Sequence, residues 1–125
     1  MSTQLNPAVS VILPILNEER DLQECISAIL KQDYAGDLEI ILALGPSTDN
    51  TNQIAKSLAQ SDSRIKLVEN PTGKTAAALN LAIAAASNEI ICRIDGHAEI
   101  SKTYIKSAVS IMKETGAVNV GGIMF

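Results

Sequence analysis

The stretch VSVILPILNEERDLQECISAIL, residues 9–30, changes its period once, and that change decides the fold class. Residues 9–13 (VSVIL) are nearly all apolar and β-branched over the length of a buried strand. Further on, Leu22, Cys25, Ile26, Ile29 and Leu30 recur at the spacing of one helix face. Between the two, Pro14 is read as ending the strand and Asn17 as capping the helix, while Glu18 and Glu19 suit its positive N-terminal end. The unit is a strand, a short loop and a helix.

The unit repeats down the chain. Strand-like runs stand at residues 38–44 (LEIILAL), 65–68 (IKLV) and 89–94 (EIICRI). A second helix carries Ile54, Ala55 and Leu58, with Asn50 as its cap and Gln53 as the capping-box partner. Residues 75–87 (TAAALNLAIAAAS) are Ala-rich and unbroken by Gly or Pro, which predicts a helix buried on most sides. A last helix uses Tyr104, Ile105, Ala108, Val109 and Met112, with Gly116 as its stop. Strands alternating with helices imply an α/β fold: a Rossmann-like, mostly parallel sheet with helices on both faces. Residues 117–125 (AVNVGGIMF) read as one more strand that stops without a closing element. The expectation is a single, truncated domain over residues 1–125, with a homodimer through that last strand.

Composition narrows the function classes. The 125 residues suffice for one domain with its own core, and 46% hydrophobic content argues against disorder. A net charge of −4 disfavours a phosphate-backbone binder, and 2% aromatic residues leave almost no stacking platforms, so no nucleic acid is expected as a partner. Cys25 and Cys92 are too few for a disulfide framework and read as buried thiols of a reducing compartment. Neither a signal peptide nor an apolar stretch of spanning length is visible, so a cytoplasmic location is expected.

Ligands of parallel sheets bind beyond the carboxyl ends of the strands, which picks out four loops, at residues 14–17, 45–50, 69–74 and 95–99. The strongest polar cluster is RIDGHAE, residues 93–99. On an extended backbone Asp95 and His97 point the same way and could converge on one cation, with Glu99 able to join them. Oxygen plus imidazole suits Mn²⁺ better than Mg²⁺. The competing reading is a solvated turn in which Asp95 caps the next helix. Gly73-Lys74-Thr75 resembles the end of a Walker A loop, but that loop needs glycine where Val68 stands. Lys74 at a helix start can still reach an anion, or simply be solvated. PILNEE (residues 14–19) and GPSTDNT (residues 45–51) are each explained by turn and cap chemistry alone.

Taken together, the four loops resemble the family 2 glycosyltransferases of the GT-A fold. The motifs are P-x-x-N-E (PILNEE), S-T-D-N-T (residues 47–51), an asparagine loop with G-K-x-x-x-A-L-N (Asn70 and residues 73–80), and a strand ending in D-x-H where the family has D-x-D. The match covers residues 8–105. The resemblance implies transfer of a sugar from a nucleotide-diphosphate donor, a UDP-sugar foremost, to a glycan or lipid-linked acceptor. It places Pro14, Leu16, Asn17, Glu18, Gly45, Lys74 and Asp95 at the donor, and Asp95 and His97 on a divalent metal, Mn²⁺ or Mg²⁺. Leu16 replaces the family's aromatic residue, and Leu44-Gly45-Pro46 replaces the turn whose Asp commonly reads the base, which leaves the base open. The D-x-H variant is similar to the succinoglycan-type branch of bacterial exopolysaccharide enzymes. The family is inverting and its catalytic base comes later than Phe125, so this chain is expected to be inactive alone, and in the full protein to serve the cytoplasmic face of the membrane. A non-catalytic nucleotide-binding or assembly domain of the same fold is the alternative.

Overall fold

The computed structural model describes residues 6–115, 119–120 and 123–124. The elements run β1 (Val9–Ile15), α1 (Leu22–Leu30), β2 (Leu38–Leu44), α2 (Thr51–Ser61), β3 (Ile65–Glu69), α3 (Thr75–Ala85), β4 (Ile90–Arg93), α4 (Tyr104–Thr115), β5 (Asn119–Val120) and β6 (Ile123–Met124). They build one sheet in the order β3-β2-β1-β4-β6-β5. The first four strands are parallel, as the alternation predicts. The segment expected as one last strand instead holds two short ones, paired antiparallel with each other, β6 also pairing with β4. The expected stop at Gly116, and most of the segment expected to mediate a dimer, lie outside the described residues.

The sheet separates two apolar clusters. On one face Val9, Val11, Leu13 and Ile15 of β1 and Leu38, Ile40, Leu42 and Leu44 of β2 pack with Leu22, Cys25, Ile26 and Ile29 of α1 and with Ile105 and Val109 of α4. On the other, Ile12, Ile41 and Ala43 meet Ala78 and Ala82 of α3. Two alanines at helical spacing let α3 lie close to the strands. The expectation that this helix is buried on most sides is corrected: Leu81 is 40% and Ile83 38% exposed. Among the described residues α3 is the helix packed in that cluster, and nothing there covers its outer side.

Pro14 does not end β1; it pairs with Ala43 inside the strand. The Ile12 carbonyl accepts from Ile94, so the even residues of β1 turn their polar groups toward β4. The β1–β4 register stops at Ile12 and Arg93, so at position 14 no ladder bond is owed and the missing N–H costs nothing. Both thiols are buried, as expected, and burial pushes Cys25 up to about 11 and Cys92 up to about 12.

At the amino ends of the strands, Glu39 ties three elements together. Its carboxylate accepts from the Ser10 hydroxyl (2.7 Å) and from the backbone and hydroxyl of Ser87 (2.8 and 2.9 Å), and it pairs with the Lys66 ammonium. Burial alone would raise this carboxyl. The Lys66, Ser87 and Ser10 donors outweigh it and hold Glu39 down at about 2.

Candidate functional site

A cleft of about 280 Å³ opens at the carboxyl ends of β1 and β4, walled on one side by the start of α3. Pro14, Leu16, Glu18, Asp95 and His97 line it together, although they come from opposite ends of the chain. Asn70, Gly73, Thr75 and Arg93, which the sequence motifs contain without assigning them to donor or metal, line it too, with Ile15 and Ala78. A larger groove between α1 and α2 runs along the helices from Glu19 and Asn50 past Gln23, Ile54 and Leu58, and shares no lining residue with this cleft.

Three of the residues that the resemblance places at the donor do not line this cleft. Asn17 stands in the left-handed region (φ 52°) and does not cap α1, whose cap position is Asp21. Its backbone N–H donates to Ser47 Oγ (2.9 Å), and its side-chain oxygen accepts from the Thr48 N–H (2.8 Å). Asn17 therefore braces the first loop against the second. Gly45 lies behind the lip: a Cβ there would meet Leu16 Cδ1 at 3.0 Å and Gly73 Cα at 3.3 Å. Lys74 is the exposed cap position of α3 and contributes only main-chain bonds: its N–H donates to Thr72 Oγ1 and its carbonyl accepts from Asn70.

The S-T-D-N-T loop supports the site without lining it. The Thr51 hydroxyl accepts the Glu18 N–H at 2.8 Å and in turn donates to Asp49. Asp49 Oδ1 also accepts the Thr51 N–H (2.9 Å), so Asp49 satisfies the start of α2, and the expected Asn50 side-chain cap is not made. These donors hold Asp49 below the usual carboxylate range, the Thr51 hydroxyl first.

The Asp95-Gly96-His97 segment is a turn, not the extended stretch expected. The Ala98 N–H closes it onto the Asp95 carbonyl (2.9 Å), and the Cys25 thiol donates to the same oxygen (3.3 Å). Asp95 and His97 still share the cleft, but Glu99 lies beyond it, beside Asp21 and Glu24. Asp95 does not cap α4, which starts at Tyr104. Its Oδ1 pairs with Arg93 at 3.3 Å. His97 Nδ1 lies 3.0 Å from Glu18 Oε2, and this hydrogen bond is the first cause of the raised His97 pKa. Among the described residues no group of three or more His, Cys, Asp or Glu side chains could hold a metal ion unaided. A carboxylate and an imidazole on one cleft do fit a cation whose remaining ligands are water and diphosphate oxygens.

Known proteins are similar to this chain in sequence and fold. Succinoglycan biosynthesis protein ExoA of Rhizobium meliloti is 31% identical over 112 residues, 88% of this chain and 34% of that protein. The Escherichia coli UDP-Glc:alpha-D-GlcNAc-diphosphoundecaprenol beta-1,3-glucosyltransferase WfgD is 43% identical over 88 residues, 70% of this chain and 34% of that protein. Staphylococcal (S. aureus) TarS 1-349 in complex with UDP-GlcNAc superposes with a TM-score of 0.74 at 26% identity, covering 89% of this chain and 32% of the other. The mannosyltransferase PcManGT from Pyrobaculum calidifontis, solved with GDP-Man and Mn²⁺, superposes with a TM-score of 0.74 at 32% identity, covering 83% and 32%. The chain thus spans about a third of these proteins, and its fold is that of the GT-A glycosyltransferases. The model described as glycosyl transferase family 2 matches residues 10–125, nearly the whole sequence, and the chain belongs to that family.

Proposed function

We propose that this chain, residues 1–125, is the donor-binding part of a glycosyltransferase. It takes a nucleoside-diphosphate sugar in the cleft between β1, β4 and α3, and the whole transferase passes the sugar to a glycan or lipid-linked acceptor. The observation that carries the reading is the convergence of Pro14, Leu16, Glu18, Asp95 and His97 on one cleft at the strand carboxyl ends. In this reading Asp95 and His97 would hold a divalent cation, Mn²⁺ or Mg²⁺, whose chemistry there would be neutralisation of diphosphate charge. Arg93 adds a fixed positive charge, and Gly73 and Thr75 bring the open end of α3 toward the phosphates. Leu16 gives an apolar lip for the base.

The acceptor hydroxyl attacks the anomeric carbon, the carbon–oxygen bond to the diphosphate breaks, and a base removes the hydroxyl proton. We assign that base to none of the residues described, so the chain alone binds donor and does not turn over. Transfer is with inversion, as the family resemblance implies. UDP is the expected nucleotide: TarS was solved with UDP-GlcNAc, and the glucosyl-3-phosphoglycerate synthase from Mycobacterium tuberculosis with UDP. WfgD, which acts on a diphosphoundecaprenol acceptor, supports a lipid-linked acceptor and a place at the cytoplasmic membrane face. No helix among the described residues is long and apolar enough to cross a membrane. ExoA supports a role in exopolysaccharide synthesis. A homodimer would use the β5 edge, the outermost strand beside β6.

Thermal-shift measurements with UDP, GDP, CDP and dTDP, with and without Mn²⁺, test the reading. Saturating the site at 100 times Kd adds about 2.7 kcal/mol to stability. The expected result is stabilisation by one diphosphate that needs Mn²⁺ and is lost in Asp95→Asn and His97→Ala. Indifference to every nucleotide, in the whole protein as well as in this chain, would favour an assembly domain instead.

A further inference from the structure

We propose that Glu18 is a positioning residue for His97: its carboxylate holds Nδ1 of the imidazole, so that Nε2 is the nitrogen offered to the cation. The inference rests on the reading of Asp95 and His97 as cation donors. It deepens that reading by giving Glu18 a role other than donor contact.

The geometry is built from three elements. Glu18 Oε2 lies 3.0 Å from His97 Nδ1, and the Glu18 side chain is only 17% exposed. The Glu18 main chain has no freedom to spare. Its N–H donates to Thr51 Oγ1, and its carbonyl accepts from the N–H groups of Asp21 (3.1 Å) and Leu22 (2.9 Å). On the other side, the turn that carries His97 is closed at the Asp95 carbonyl by Ala98 and Cys25. Gly96 makes the room between them: a Cβ there would stand 2.9 Å from Glu18 Oε2 and 3.2 Å from its Cγ. The other carboxylate of the cleft, Asp95, pairs through Oδ1 with Arg93 instead.

The chemistry follows from the two ring nitrogens. A neutral imidazole donates from one and accepts at the other, and an ionised carboxylate only accepts. Facing Glu18, Nδ1 must carry the proton, which leaves the Nε2 lone pair for a cation. Ligating histidines commonly donate their second N–H to a carboxylate in this way, which fixes the ring and strengthens the ligand.

His97 is the sole histidine of the sequence, so long-range ¹H–¹⁵N NMR reads its tautomer without overlap. At a pH where the ring is neutral and metal is absent, the Nδ1–H form is expected. Glu18→Ala should shift the ring toward Nε2–H, and Glu18→Gln, which keeps an acceptor oxygen, should restore it in part. Mn²⁺ affinity in the presence of UDP, read by electron paramagnetic resonance, should fall about ten-fold or more in Glu18→Ala. His97→Gln should lose at least as much, and the double variant no more than His97→Gln alone, because Glu18 acts through the ring. An unchanged tautomer, an unchanged Mn²⁺ affinity in Glu18→Ala, or losses that simply add would each overturn the positioning role while leaving the cation site standing. Absence of Mn²⁺ binding in the unsubstituted protein would overturn the cation site, and the positioning role with it.

Discussion

A methyl group on Gly96 would stand 2.9 Å from Oε2 of Glu18 and 2.8 Å from Cδ1 of Ile15. Both atoms are the far ends of side chains rather than backbone, so the strain of Gly96→Ala falls first on those side chains. The variant is expected to stay folded but to push Glu18 off His97. UDP–Mn²⁺ affinity measured by calorimetry should fall about ten-fold, the scale of a lost outer-shell contact. Affinity equal to the parent's would mean that the glycine serves the turn alone.

The left-handed backbone at Asn17 gives a second test. Asparagine tolerates this region better than alanine, and glycine better than both. Asn17→Ala loses the acceptor for Thr48 and adds backbone strain, for about 2 kcal/mol in total. Asn17→Gly loses only the acceptor and should cost about 1 kcal/mol. Urea unfolding measures both. The side chain does not line the cleft, so UDP affinity in Asn17→Gly should stay within about two-fold, each 1.4 kcal/mol being a factor of ten. Equal destabilisation by the two variants would contradict the strain argument.

These two residues also mark where sequence reasoning succeeds and where it stops. The parallel βα frame was legible because buried strands read as apolar runs and helices as one-sided stripes, and both signals are local. The gathering of Glu18, Asp95 and His97 was legible as well, because strand carboxyl ends in such sheets face one side. What failed depends on partners far along the chain. Asn17 resembles a helix cap until its true partners, Ser47 and Thr48, come within reach from thirty residues away. Pro14 resembles a strand end because the departure of β4 at Arg93 cannot be read from residues 9–15. The alanines of α3 resemble a fully buried helix, but the described structure covers only the side carrying Ala78 and Ala82. Arg93 is part of the polar cluster at residues 93–99, but its pairing with Asp95 and its place on the cleft wall depend on how the strand end turns.

Glu39 predicts a pH dependence at the opposite end of the sheet from the cleft. Its folded pKa of about 2 lies below the ordinary value of 4.5, so the folded state binds this proton less readily than the unfolded chain. The stabilisation is therefore full above about pH 5 and is lost as pH falls through the window from 4.5 toward 2. Glu39→Gln breaks the pairing with Lys66 and should cost about 2 kcal/mol at pH 7. Urea unfolding of both proteins at pH 7, 4 and 3 should show the gap narrowing as the parent loses its advantage. A gap independent of pH would mean that the network works by packing rather than by charge.

Arg93 supplies the remaining prediction. Its guanidinium pairs with Asp95 Oδ1 at 3.3 Å, and both side chains are part-exposed at the cleft, 39% and 48%. That leaves the guanidinium able to meet an incoming diphosphate, with Asp95 keeping it in place. A charge-assisted hydrogen bond to phosphate contributes about 1.5–3 kcal/mol, so Arg93→Met should weaken UDP binding about ten-fold or more. Uridine has no diphosphate and gives the control: its affinity should be unchanged. Salt sharpens the distinction, because raising ionic strength screens exposed charges and should narrow the difference between the parent and Arg93→Met for UDP. If uridine and UDP weaken together, Arg93 shapes the cleft wall instead of holding phosphate.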